Sequence, residues 1–245
     1  MDARFTLNLD GVVAIRSLRG GREPDPVAVA LLAQLAGAHG LSLSVRDERR
    51  GGQERDLRML RESVTTHFEL RLSPGVDLVS LAFDTRPDRV TLVSERREGE
   101  SSAAGLDVHL LRDALRKHVQ HLRDADVEIA FCIAPDLDQV KAAHRLDADA
   151  VVLTANAYAA AGTPQERRLE LTRLLDAATT AARLGIRVAI GGGIDLRRVE
   201  EVARIPHATE FQVGQACLAR SLLVGVERGV GDFIAAIGRG RQRPL

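Results

Sequence analysis

The sequence predicts an α/β protein, a single (β/α)8 barrel with extra helices, on three observations. Eight short runs rich in β-branched and apolar residues alternate with helix-patterned segments. The chain has 245 residues, about the length of one such barrel. The last two strand-like runs, Arg187-Val188-Ala189-Ile190 and Thr209-Glu210-Phe211-Gln212-Val213, each lead into glycine where a helix should begin. Loops in that position commonly form a barrel's phosphate site.

Taken in order, Arg4-Phe5-Thr6-Leu7-Asn8-Leu9 supplies the first strand. Asp25-Pro26 then reads as a cap and first helical residue before the apolar segment Val27–Leu32. The small turn Ala36-Gly37-Ala38-His39-Gly40 feeds the second strand, Leu41–Val45. Phe68–Leu72, Arg89–Val93, Glu128–Ile133 and Ala150–Leu153 continue the series, and Ala182–Gly185 turns the chain into the seventh strand. Strict alternation implies parallel pairing, and eight units favour closure, with an open doubly wound sheet as the alternative. Three longer segments follow strands and are expected as loops on the functional side: Arg46–Glu54, Ala155–Glu166 and the polar stretch Glu95–Gly105. The barrel is expected to occupy residues 1–238, with 239–245 a flexible basic tail.

Composition narrows the function classes. Basic and acidic side chains balance at 34 each, which gives no general drive toward nucleic acid or membrane. Met1–Leu7 lacks the apolar core of a signal peptide, and no later run approaches a membrane span, so a cytoplasmic location is expected. Cys132 and Cys217 are far apart in apolar patterns and read as buried thiols. The only lysines, Lys117 and Lys141, fall within helix patterns, which argues against Schiff-base chemistry. His118 and His121 stand one helical turn apart, but no third ligand accompanies them, so no metal and no cofactor is expected.

The residues that speak most directly are Gly191, Gly192, Gly193, Gly214 and Gln215. Main-chain N–H groups in such turns can close on an anion, and their tight-turn role alone is the competing explanation.

Longer motifs add a family. Asn8-x-Asp10, Arg16 with Arg19-Gly20, Pro24-Asp25-Pro26-Val27, Arg46-x-x-Arg49-Arg50, Leu92-Val93-x-Glu95-Arg96-Arg97, Gly105-Leu106-Asp107-Val108 and Gly214-x-Ala216 run nearly end to end. Together they resemble the pyridoxine 5'-phosphate synthase family. The resemblance implies a barrel that assembles as dimers within an octamer. It also implies condensation of 1-deoxyxylulose 5-phosphate with 3-amino-2-oxopropyl phosphate, losing water and phosphate. Such a reaction needs acid/base groups and two phosphate grips. Asn8 belongs to the first motif, while Arg19, Arg46 and Ser102 stand at or near the positions that hold the family's second phosphate.

The departures from that pattern fall at strand ends. Family histidines are replaced by Gly11, Ser44, Gly51, Thr154, Gly192 and Gln215, and the glutamate ending the third strand by Arg71. Arginine cannot serve as a base at neutral pH, so Arg71 is expected either as an anion clamp beside Arg46 or in a salt bridge to Asp10 or Glu95. No histidine remains at a strand end, and the seven present are expected on the surface.

These losses predict a catalytically inactive or repurposed homologue that binds a phosphorylated small molecule, inorganic phosphate or a partner protein, with no nucleic acid and no membrane. The alternative is a functional synthase using substitute acid/base groups. Asp10 and Glu95 head the candidates, followed by Asp136, Tyr158 and Asp195. A third possibility, an unrelated reaction on a phosphorylated sugar or amino-ketone, has only the fold behind it. Altered surface residues favour a homodimer over the octamer.

Overall fold

The computed structural model describes residues 3–45, 50–74, 78–94, 105–243 and 245. Within them β1 (Arg4–Asn8), β2 (Gly40–Val45), β3 (His67–Leu72), β4 (Arg89–Leu92), β5 (Glu128–Ile133), β6 (Ala150–Thr154), β7 (Arg187–Gly191) and β8 (Ala208–Val213) pair in chain order. Every pairing is parallel, and β8 returns to β1 through Arg4–Glu210 to Leu7–Val213, closing the barrel. The expected fold class is what forms.

The helices are α1 (Asp10–Arg19), α2 (Pro26–Leu35), α3 (Arg50–Ser63), α4 (Leu78–Thr85), α5 (Arg112–Asp124), α6 (Leu137–His144), α7 (Asn156–Ala160), α8 (Pro164–Arg183), α9 (Val199–Val202), α10 (Gln215–Val224) and α11 (Val226–Arg241). Local chemistry fixes several starts. Asp25 accepts from the Val27 N–H at 2.9 Å with Pro26 in the first turn, as its sequence signature requires. Thr163 and Glu166 form a reciprocal capping box at the start of α8, and Pro164 again occupies the first turn.

Two expected loops are partly helical. Residues 50–54 of the charged segment belong to α3, and the Ala155–Glu166 segment contains α7 and the first turn of α8. The third, Glu95–Gly105, lies outside the described residues except for Gly105, which bridges Ile133 at the end of β5. The boundary expected at residue 238 falls within α11. There Arg239 pairs with Glu200 at 3.0 Å, and the Arg241 guanidinium lies 5.5 Å from the centre of the Phe211 ring.

Alternation along each strand separates two cores. Outward residues such as Phe5 pack under helices, with the Phe5 and Phe233 rings stacked at 6.0 Å between centroids. The barrel interior is polar where β8, β1, β3 and β4 meet. Arg89 donates to Glu69 and to both oxygens of Glu210, Thr6 donates to Glu210 at 2.8 Å, and Gln212 donates to Glu69 at 2.7 Å. Opposite them, Cys132, Val152 and Ala189 form a small apolar lining. Both cysteines are buried free thiols. No helix among the described residues is long and apolar enough to cross a membrane.

Candidate active site

The strand ends bring together Asn8 of β1, Ser44 of β2, Arg71 of β3, Gly191 of β7 and Gly214 after β8. This is the barrel face on which such folds carry chemistry. The hollow lined by Arg61, Phe83, Arg86, Asp88 and Asp126 lies instead beside the strand starts of β4 and β5.

Asp10, the first residue of α1, points its carboxylate across to β2. Its Oδ1 accepts from the Ser44 N–H at 2.7 Å and its Oδ2 from the Ser44 hydroxyl at 2.6 Å. Asn8 holds this start of α1: its Oδ1 accepts from the Asp10 N–H at 3.1 Å while its Nδ2 donates to Ser42 Oγ at 3.2 Å. Asn8 is therefore a brace for Asp10 and for the neighbouring strand.

Arg71 reaches across the mouth. It donates to Gln212 Oε1 at 2.8 Å, lies 3.6 Å from Cys132 Sγ and stands 4.0 Å from Glu69. The ion pairs expected with Asp10 or Glu95 are not what anchors it: Asp10 is engaged by Ser44, and Glu95 lies outside the described residues. Burial pulls the Arg71 pKa down, but Cys132, Glu69 and Asp10 outweigh it and the value ends raised. The guanidinium stays charged. Burial also pushes the Cys132 thiol up despite Arg71, which keeps it protonated and a poor nucleophile.

The two glycine turns differ. Gly192 and Gly193 have φ of 84° and 66° and are exposed at the rim. No helix N-terminus opens behind them, because Asp195 accepts from the Arg197 and Arg198 N–H groups and pairs with Arg198 at 2.5 Å. The helix dipole expected at this turn is thus occupied by the chain's own carboxylate. Gly214, by contrast, is the N-cap of the ten-residue α10 with no side-chain cap, and Gln215 is exposed in its first turn. A Cβ at Gly214 would come within 3.0 Å of Asn8 Oδ1, so glycine allows the β8 end and the start of α1 to meet.

Other sequence candidates fall elsewhere. Arg19 is exposed in the last turn of α1, separated from Asp10 by the helix length, about 15 Å. Arg46 and Ser102, like Glu95, lie outside the described residues. Asp136 caps α6, and buried Tyr158 donates to Glu201, so these and Asp195 have structural partners. His67 departs from the expected surface location: it begins β3, is mostly buried, and sits 3.9 Å from Glu128 near the barrel floor. Among the described residues no three His, Cys, Asp or Glu side chains gather as a metal site. Sequence reasoning named Ser44 only as a missing histidine, not as Asp10's partner. The two residues are 34 apart in sequence, and the β1–β2 pairing alone brings them together.

Comparison with known proteins fits this geometry to a family. Residues 5–239 match the family described as pyridoxal phosphate biosynthesis protein PdxJ. The chain belongs to that family. Pyridoxine 5'-phosphate synthase of Syntrophotalea carbinolica is 39% identical over 236 residues, covering 96% of this chain and 99% of the relative. The synthase of Geotalea daltonii is 38% identical over 232 residues, covering 95% and 97%. At the level of fold alone, the chain is similar to tryptophan synthase from M. tuberculosis, with a TM-score of 0.64, 13% identity and coverage of 96% and 94%. Phosphoribosyl anthranilate isomerase from Thermus Thermophilus gives 0.59, 14%, 97% and 100%.

These PdxJ relatives correct the expectation of an inactive or repurposed homologue. Full-length matches at 39% and 38% identity are synthases, and they favour the alternative, a working synthase with substitute groups. The missing histidines weighed too heavily because replacing a side chain removes one acid/base group without showing what stands in for it. At the same rim Ser44, which stands where the family pattern has a histidine, is hydrogen-bonded to Asp10.

Proposed function

We propose that this PdxJ family member is a working pyridoxine 5'-phosphate synthase, condensing 1-deoxyxylulose 5-phosphate with 3-amino-2-oxopropyl phosphate and releasing water and phosphate. The observation that carries the proposal is the 39% identity to such a synthase over almost the whole of both chains. The rim geometry supports it. The uncapped start of α10 at Gly214 and Gln215 offers N–H groups to a phosphate, and the exposed Gly192–Gly193 backbone flanks the same mouth. Asp10 supplies a carboxylate for proton transfer, and the Arg71 guanidinium favours negative charge developing on a bound carbonyl oxygen.

Incubating the purified protein with both phosphates and following pyridoxine 5'-phosphate by chromatography and mass spectrometry tests this. Product formation with turnover is expected; product no faster than the protein-free mixture removes the proposal. The same reading includes a homodimer. Leu18 ends α1 and Leu222 and Leu223 end α10, all strongly exposed on two helices that contact each other, which suits an apolar interface. Sedimentation showing only monomer at micromolar concentration would remove that part.

A further inference from the structure

At the strand-end rim of the barrel a hydroxyl is hydrogen-bonded to a carboxylate. Ser44 Oγ donates to Asp10 Oδ2 at 2.6 Å, and the Ser44 N–H to Asp10 Oδ1 at 2.7 Å, so two bonds fix the relative orientation of the side chains. Asp10 is fixed in turn through its own N–H to Asn8, which is tied to Ser42 on β2. Both Asp10 and Ser44 are partly exposed, at the rim rather than in the packed core. Ser44 is also the register partner of Arg71 across β2 and β3. A hydroxyl has one donor hydrogen and two acceptor lone pairs, so a serine that donates to a carboxylate can accept a proton while passing on its own.

We propose that Ser44 and Asp10 form a proton relay and that Ser44 is a catalytic residue. As a C–H bond beside the substrate ketone breaks, its proton bonds to Ser44 Oγ, the Ser44 O–H bond breaks, and that proton bonds to Asp10 Oδ2. The electron pair left on carbon delocalises onto the ketone oxygen as an enolate beside Arg71. Negative charge passes from Asp10 to the enolate, no net charge is created, and reversal restores the resting pair. The relay rests on the synthase reading and adds the route by which Asp10 reaches the substrate.

Deuterium uptake from D2O at the carbons flanking the ketone of 1-deoxyxylulose 5-phosphate, followed by proton NMR with the full chain, reads this step apart from the complete reaction. Wild-type protein should exchange, and Ser44→Ala should slow exchange by about 10²-fold, with affinity for the ketose phosphate changed by less than about two-fold. Ser44→Thr, which keeps the hydroxyl, should retain most of the rate. Asp10→Asn keeps one acceptor oxygen for the Ser44 N–H but takes up no proton, and should be as slow as Ser44→Ala while remaining folded by circular dichroism. Equal exchange by Ser44→Ala and wild type overturns the relay, as does no exchange by wild type. Ser44-dependent exchange without pyridoxine 5'-phosphate keeps the relay and removes the synthase reading. Product formation untouched by Ser44→Ala does the reverse.

Discussion

Arg89 and Glu210 form the centre of the buried ion network in the barrel: one guanidinium nitrogen donates to both carboxylate oxygens, at 2.7 and 2.9 Å. Both residues are nearly inaccessible to solvent. Burial alone would raise the Glu210 pKa, but Arg89, with hydrogen bonds from Gln212 and Thr6, holds it well below its ordinary 4.5. Removing one partner leaves the other charge buried and uncompensated.

Arg89→Met should therefore destabilise the fold by about 3–5 kcal/mol, read from urea denaturation at pH 7. The acid limb has a defined sign. A carboxylate with a depressed folded pKa contributes stability that is complete above its ordinary value and drains away as pH falls toward the folded one. Stability should thus fall as pH drops below about 4.5, and Glu210→Gln should flatten that limb. An unchanged acid limb in Glu210→Gln would assign the acid sensitivity to other carboxylates.

Tyr158 gives a spectroscopic prediction because it is the only tyrosine and the chain has no tryptophan. Burial, then the carboxylate of Glu201 that its hydroxyl bonds, raise its pKa far above the ordinary 10.0. The protonated phenol then favours the folded state, a contribution present below pH 10 and lost as pH climbs toward the folded value. Tyrosinate absorbance should stay absent until circular dichroism reports unfolding. Titration near pH 10 in a folded protein would show the phenol to be solvated.

The sequence made the barrel legible because its strands are short, β-branched and separated by clear caps such as Asp25-Pro26. Alternation along each strand also says which side chains face inward, but it gives no distances. Whether Arg71 met Asp10, Glu95 or Gln212 depended on the reach of a long side chain across the mouth. Asp195 was misleading for a related reason. Its sequence position beside three glycines suggested an open anion site, yet a short side chain at a helix start can satisfy that helix itself. The Asp10–Ser44 pair was hidden because the two residues are 34 apart in the chain and meet only through the β1–β2 pairing.

Gly193 should be intolerant of a side chain for two separable reasons. Its φ of 66° lies in the left-handed region, and a Cβ would meet the Ala159 Cβ at 2.6 Å. Gly193→Ala should cost about 1–3 kcal/mol of stability from backbone strain alone, with α7 shifted as well. Thermal unfolding of Gly193→Ala compared with Gly185→Ala, which has φ of 78° but nothing near its Cβ, separates the two terms. Equal losses at both positions would mean that α7 moves aside freely.

Gly214 ties the proposed phosphate grip to the proton-transfer pair. It stands at the start of α10 with no side-chain cap, and any Cβ there would press on Asn8, whose Oδ1 orients the Asp10 N–H. The Gly214 φ of −121° is paired with a ψ of −93°, outside the regions that side-chain-bearing residues favour, so Gly214→Ala should also cost about 1–3 kcal/mol of stability in backbone strain. Displacing Asn8 should in addition weaken two functions together: phosphate affinity by about ten-fold, roughly 1.4 kcal/mol, and turnover through a misplaced Asp10. Asn8→Ala separates them, because it relieves the contact while leaving the α10 N–H groups intact. Calorimetry with inorganic phosphate should then show Gly214→Ala weakened and the double variant Gly214→Ala/Asn8→Ala restored in binding, with turnover low in both. Wild-type affinity for phosphate in Gly214→Ala would place the anion site away from α10.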